Sequence, residues 1–195
     1  MSKVEVVVNP AKLIRCAGTY RSGSTWLYNV LRLLFPNVRI VKGHPPDHGQ
    51  YEFVLTSHRD LRRVAASLMR KWGYQPNYGW ADVKKAIKET VSFHEFWSRH
   101  PKLVYDMKYE TMMSDKPWEV AEIGRVVGID NVEGVLGQVE LLKPPSKRGS
   151  IDNVTKYHWN HVTTDDYTSL SPLNPEQVDE IQREFVGWQE RNGYL

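Results

Sequence analysis

The stretch Gly18 to Trp26, GTYRSGSTW, carries the residues best suited to hold a phosphate or sulfate. Gly18, Gly23 and Thr25 fit the phosphate-binding pattern G-x-x-x-x-G-K-[ST], while Ser24 occupies the place of the lysine. A bend that passes from strand to helix aims several backbone N–H groups and the positive helix end at one point, which suits an anion whatever the side chains. Gly23 permits the bend, and Ser22, Ser24 and Thr25 add hydroxyl donors. Without the lysine, triphosphate chemistry loses the cation that normally neutralises its outer phosphates. The positive charge is displaced to Arg21, three positions earlier, where a guanidinium can reach an oxyanion on the first phosphate.

The elements around this bend have the required order. The apolar run AKLIRC ends at a glycine, and TWLYNVLRLLF follows with Leu27, Val30, Leu31 and Leu34 at helical spacing. The β-branched runs NVRIVKGH and YEFVLTSHR predict two further strands, separated by the loop HPPDHG. Asp60 then caps a helix over 61–72, with Leu61, Val64, Ala65 and Leu68 on one face. QPNYGW breaks that helix, and a second runs from ADVKK to Pro101. KLVYDMKYE gives another strand, and two helical segments follow, WEVAEIGRVVG and NVEGVLGQVELL. Residues 143–172 are polar and aperiodic and are expected to form a long functional loop. The last helix starts at the Asn174 cap with Pro175 in its first position, and Gly193 lies past its end. Alternating strands and helices predict an α/β fold with a mostly parallel central sheet flanked by helices, whose ligands bind at the carboxyl ends of the strands.

With the loop and its surroundings in view, the sequence resembles the sulfotransferases that use 3′-phosphoadenosine 5′-phosphosulfate (PAPS). Their loop reads T-Y-P-[KR]-S-G-[TS]-T-W; Tyr20 takes the place of the proline, Arg21 that of the basic residue, and Ser22 to Trp26 follow in register. RIVKGHPP is similar to the family's R-I-I-K-T-H-L-P, with Lys42 and His44 at its lysine and catalytic histidine. Arg59 and Ser67 stand eight apart, as do the family's 3′-phosphate arginine and serine. LVYDMKYETM resembles the family's stretch in which Y-E-D-[LM] follows a strand, placing Tyr109 near the nucleotide. Lys147, Arg148 and Gly149 match an R-K-G element, and Trp159 to Thr163 a more loosely spaced one. The resemblance runs from about residue 13 to 163; Arg63 stands where an acidic residue is common, and the chain is shorter than typical cytosolic members.

The resemblance implies a P-loop-like three-layer sandwich, PAPS as cosubstrate, no metal, and a small-molecule or glycan hydroxyl acceptor. It implies that Arg21 and Lys42 act on the bridging oxygen and sulfuryl group, and His44 as general base. The Ser22 to Thr25 turn would cradle the 5′-phosphate. Arg59 and Ser67, completed by Lys147, Arg148 and Gly149, would hold the 3′-phosphate, with Trp26 and Tyr109 flanking the adenine.

The totals agree with such a molecule. The 195 residues suggest one domain over 1–195, and 41% hydrophobic with 25% charged residues is ordinary for a globular chain. A net charge of +3 is too small to make nucleic acid the expected partner. The single cysteine, Cys16, excludes an internal disulfide and reads as a buried thiol in a strand. No run of 18 apolar residues occurs, and MSKVEVVVNP is too short and charged for a signal peptide, so a cytoplasmic protein is expected. Among the other histidines, His94 and His100 are spaced badly for a shared metal, and His158 and His161 lack a third ligand nearby; His48 and His58 are candidates for the acceptor pocket. Two rival readings remain at this level. A nucleotide kinase would use Asp106 to bind Mg²⁺, and a nucleotide sensor would keep the phosphate contacts without a base.

Overall fold

The computed structural model describes residues 13–72, 75–159 and 168–195. Among these residues four strands form one sheet in the order β2-β1-β3-β4. They are β1 (Leu13–Cys16), β2 (Arg39–Lys42), β3 (Phe53–His58) and β4 (Leu103–Lys108), all paired in parallel. Cys16 stands opposite Lys42 and Leu55, and His58 opposite Lys108. Every strand therefore delivers its carboxyl end to the same edge of the sheet. The expected α/β architecture with a parallel sheet stands.

Helices cover both faces, because the strand residues alternate. Ile14, Cys16, Leu55 and Met107 point to one side, where α1 (Ser24–Leu34) lays Leu27, Val30 and Leu31 across them. That layer is completed by α5 (Lys116–Val126) and α6 (Val135–Leu141) through Val120, Ile123, Val135 and Val139. On the other side Val54 packs against Trp97 of α3 (Trp80–Ser98). There α2 (Leu61–Trp72) buries Leu61, Val64, Ala65 and Leu68 against Val83 and Ile87 of α3. The last two helices, α7 (Pro175–Glu184) and α8 (Val186–Arg191), add Ile181 and Trp188 to this second cluster.

The caps follow the sequence. Asp60 Oδ1 accepts from the Arg62 N–H at 2.9 Å, and its carboxylate also receives the Arg62 guanidinium at 2.8 Å. Asn174 and Gln177 form a reciprocal capping box with Pro175 inside the first turn, and Gly193 takes φ 68° past the end of α8. Two features differ from the expectation. A short helix α4 (Tyr109–Ser114) follows β4 directly. The final helical run is broken at Phe185, whose ψ of 24° leaves the helical range. The polar stretch after Lys143 contains a tight turn, in which Ile151 bridges His158 and Asp152 Oδ1 accepts from the Val154 and Thr155 N–H groups. Asn29 of α1 ties this turn down by donating to the Thr155 carbonyl at 2.9 Å. Among the described residues no helix is long and apolar enough to cross a membrane.

Candidate functional site

The carboxyl edge of the sheet collects the residues singled out from the sequence. The Gly18 to Thr25 bend leaves β1, Lys42 ends β2 with His44 two residues beyond, Arg59 follows β3, and Tyr109 follows β4. Between these loops lies a cleft of about 310 Å³. Arg21, Gly23, Ser24 and Thr25 line it from the bend, and Lys42 and His44 from the β2 end.

The bend has the backbone such a cradle needs. Arg21 and Gly23 have φ of 56° and 79°, left-handed values that turn the chain sharply into α1. For Arg21, a residue with a side chain, this conformation is strained, as residues at ligand clamps often are. Gly23 is irreplaceable on space as well, since a Cβ there would lie 2.9 Å from Tyr109 Cδ2 and 3.0 Å from Met112 Cε. Buried Ser22 donates to the Thr19 carbonyl at 2.8 Å and shares a 2.7 Å hydrogen bond with Ser57 of β3, so the bend is anchored to the sheet. No acidic residue or side-chain cap occupies the first turn of α1, whose first N–H groups have no intrahelical carbonyl to bond.

The electrostatics favour an anion. Arg21, Lys42 and Lys71 line the cleft with no Asp or Glu among the described lining residues. Burial holds Lys42 below the ordinary lysine range. Burial, with Arg21 and Lys42 nearby, lowers Lys71 to about 8. Such cations are under-solvated, and a bound anion would restore what they lack.

His44 is held in one protonation pattern. Its Nδ1 is hydrogen-bonded to the Gly18 carbonyl, which can only accept, so Nδ1 carries the proton and Nε2 the lone pair. Burial, then Lys42, pushes its pKa down to about 4, so the ring is neutral at pH 7. The backbone around it is fixed by Trp97 Nε1 donating to the His44 carbonyl at 3.0 Å and by Arg15 donating to the Pro45 carbonyl at 3.0 Å.

Arg59 and Ser67 are brought to the same place through Arg21. Arg21 Nε donates to Ser67 Oγ at 2.8 Å, and Arg59 Nη1 donates to the Arg21 carbonyl at 3.3 Å. Arg59 also lies over the Tyr109 ring, 4.1 Å from its centroid. Trp26 sits within the core cluster at 9% exposure, so only its rim reaches outward. Lys147, Arg148 and Gly149 are exposed, with Gly149 at φ 80° and Arg148 5.8 Å from the centre of the Trp159 ring. The Asn160 to Thr163 part of the looser match, with His161, lies outside the described residues.

Sequence reasoning missed four lining residues: Tyr20, Lys71, Trp72 and His158. Lys71 was within reach, being one helical turn after Ser67 on the same face of α2. His158 was not, because only the docking of its turn on α1 brings it there. Tyr20 and Trp72 also wall an adjoining groove of about 250 Å³ with Tyr78, in which Tyr20 donates to Glu89 at 3.3 Å. His58 is not among the residues lining either space; together with His94 and Asp106 it lies on the α3 face of the sheet. His48 packs edge-on against Phe96. Cys16 is buried in β1, where desolvation raises its thiol to about 11 and makes it an unreactive core group.

The chain has the sulfotransferase fold. It superimposes on mouse sulfotransferase SULT7A1 complexed with PAP at a TM-score of 0.62, with 13% identity over 92% of this chain and 85% of that one. It superimposes on retinol dehydratase in complex with androsterone and inactive cofactor PAP at a TM-score of 0.52, with 14% identity over 70% of this chain. That match spans 65% of the retinol dehydratase chain, slightly less than two thirds. No protein-family model matches the sequence, and no curated protein matches it.

Proposed function

We propose that this protein transfers a sulfuryl group from PAPS to a hydroxyl acceptor, with His44 as the general base. The observation that carries this is the pairing of a cationic cleft, free of carboxylates among its described lining residues, with a neutral histidine whose Nε2 lone pair is fixed by the Gly18 carbonyl. The sulfotransferase fold and the PAP bound to both solved neighbours support the same donor.

In the reaction the acceptor oxygen attacks sulfur while the bond from sulfur to the phosphate oxygen breaks in line. His44 Nε2 takes the hydroxyl proton, and adenosine 3′,5′-bisphosphate (PAP) leaves. Arg21 and Lys42 meet the charge growing on the bridging and peripheral oxygens, where fixed cations in a dry site are most effective. The Ser22 to Thr25 bend receives the 5′-phosphate. The linked Arg59, Arg21 and Ser67 receive the 3′-phosphate; Ser67 Oγ accepts from Arg21 and keeps its own proton to donate. Lys147, Arg148 and Gly149 close over this end from the late turn. The adenine lies against Tyr109 and the outer rim of Trp26. The acceptor enters along the groove of Tyr20, Trp72 and Tyr78, which opens beside His44.

The kinase reading loses its acid at the donor cleft, because Asp106 lies on the α3 face of the sheet and is not among the residues lining that cleft. Calorimetry with PAP and ATP, followed by transfer assays with labelled PAPS and a panel of hydroxyl compounds, tests the proposal. Preference for PAP together with label transfer is expected. Equal affinity for ATP overturns the donor assignment, and PAP binding without transfer to any acceptor leaves a sensor in place of an enzyme.

A further inference from the structure

On the α3 face of the sheet, apart from the donor cleft, His58 of β3, Asp106 of β4 and His94 of α3 converge. One ligand atom from each lies within 4.8 Å of the other two. His94 Nε2 donates to Asp106 Oδ2 at 2.9 Å, and His58 Nε2 is 3.9 Å from the same oxygen. Both histidines are buried, at 6% and 3% exposure.

Two details set this group apart from packed core histidines. The first is its proton count. Tyr194 donates its hydroxyl proton to Glu110 Oε2 at 3.1 Å, so its contact with His58 Nδ1 at 2.9 Å requires Nδ1 to be the donor. In the neutral imidazole, His58 Nε2 therefore presents a lone pair toward Asp106. Asp106 Oδ1 is buried with no hydrogen-bond partner among the described residues. A lone pair and a carboxylate thus share the space with a single N–H, that of His94. Buried acceptors without donors are costly, and a cation is one of the few things that satisfies them. The second detail is the outer arrangement. A metal-bound histidine usually donates its remote N–H to an oxygen that fixes its tautomer, and the chain from His58 through Tyr194 to Glu110 does this.

We propose that His58, His94 and Asp106 form a binding site for a divalent transition-metal ion, with zinc the best fit to two imidazoles and a carboxylate. Tetrahedral coordination at about 2.0–2.1 Å sets ligand atoms roughly 3.4 Å apart, and the observed 2.9 and 3.9 Å bracket that spacing. On binding, the His94 proton moves from Nε2 to Nδ1, and the freed lone pair joins those of His58 and Asp106. The group is reached from a crevice of about 260 Å³ whose lining includes His94, Asp106 and Trp188. The ion would clasp β3, β4 and α3 together, and it has no part in sulfuryl transfer.

The test uses the full chain after chelator treatment, titrated with ZnCl₂ by calorimetry and with CoCl₂ by visible absorption. One equivalent of zinc with saturable heat is expected, with cobalt bands of a low-coordinate nitrogen and oxygen site. His94→Gln and His58→Gln should each abolish both signals. Tyr194→Phe keeps the three ligands and should weaken zinc roughly tenfold or more. Absence of saturable binding in the unsubstituted chain, which needs no variant to fold, leaves a hydrogen-bonded network only and overturns the proposal. Binding undiminished in both histidine variants overturns it as well, by placing the ion elsewhere.

Discussion

At the residue scale, His44 and Lys71 answer to pH in opposite directions. As the proposed general base His44 must be neutral to accept a proton, and burial holds its pKa near 4. Turnover should therefore be level through the range where a free imidazole titrates, and fall only as pH drops toward 4. A kcat–pH profile checks this, and an inflection near 6.5 would count against His44 as a base held by burial. His44→Ala should lower kcat about 10²-fold or more while PAP binds as before. Lys71 loses its charge as pH rises through about 8, so PAP affinity should weaken above that point. Lys71→Arg, which stays charged, should remove the alkaline limb from a titration of Kd against pH.

At the element scale, the strands, the major helices and the three caps were legible because each depends on local pattern: β-branched runs, apolar spacing, Asp60, Asn174 and Gly193. The order of loop, Lys42 with His44, and Arg59 with Ser67 was legible for a related reason. In a parallel sheet those loops must share one edge, as they do. What the sequence concealed depends on tertiary contact. Ser67 is reached by Arg21, 46 positions away, and His158 enters the cleft through a turn that Asn29 holds from 126 positions away. The meeting of His58, His94 and Asp106 across three elements has no spacing signature at all. The three arginines of α2 each find a partner, Arg62 on Asp60, Arg63 near Glu110 and Arg70 on the Ser171 carbonyl, while Lys71 lines the cleft. The bend itself offers the sharpest test at this scale. Gly23→Ala places a methyl against Tyr109 in a left-handed backbone, and it should destabilise the chain by about 1–3 kcal/mol and abolish PAP binding, read by thermal melts and calorimetry.

At the scale of the whole molecule, the two faces of the sheet do different work: one supports the bend and α1, while the other is closed by the C-terminal helices. Trp188 is central to that closure, stacked on Tyr194 at 5.9 Å and set edge-on to His58 and His94. Trp188→Ala should cost about 3–5 kcal/mol, seen as a lowered urea midpoint, while the kcat of whatever protein remains folded stays near normal. If the bend seats the donor as proposed, it admits no such separation of stability from turnover. The imidazole of His44 hangs from the carbonyl of Gly18, and Gly18 has no slack, since a methyl there would come within 2.0 Å of Ser57 Oγ. On the proposed function, the seat of the nucleotide and the aim of the proton acceptor would thus be one mechanical part. A lesion that shifts Gly18 tilts the ring as it loosens the seat, and saturating such a variant with PAPS would refill the seat without restoring the aim.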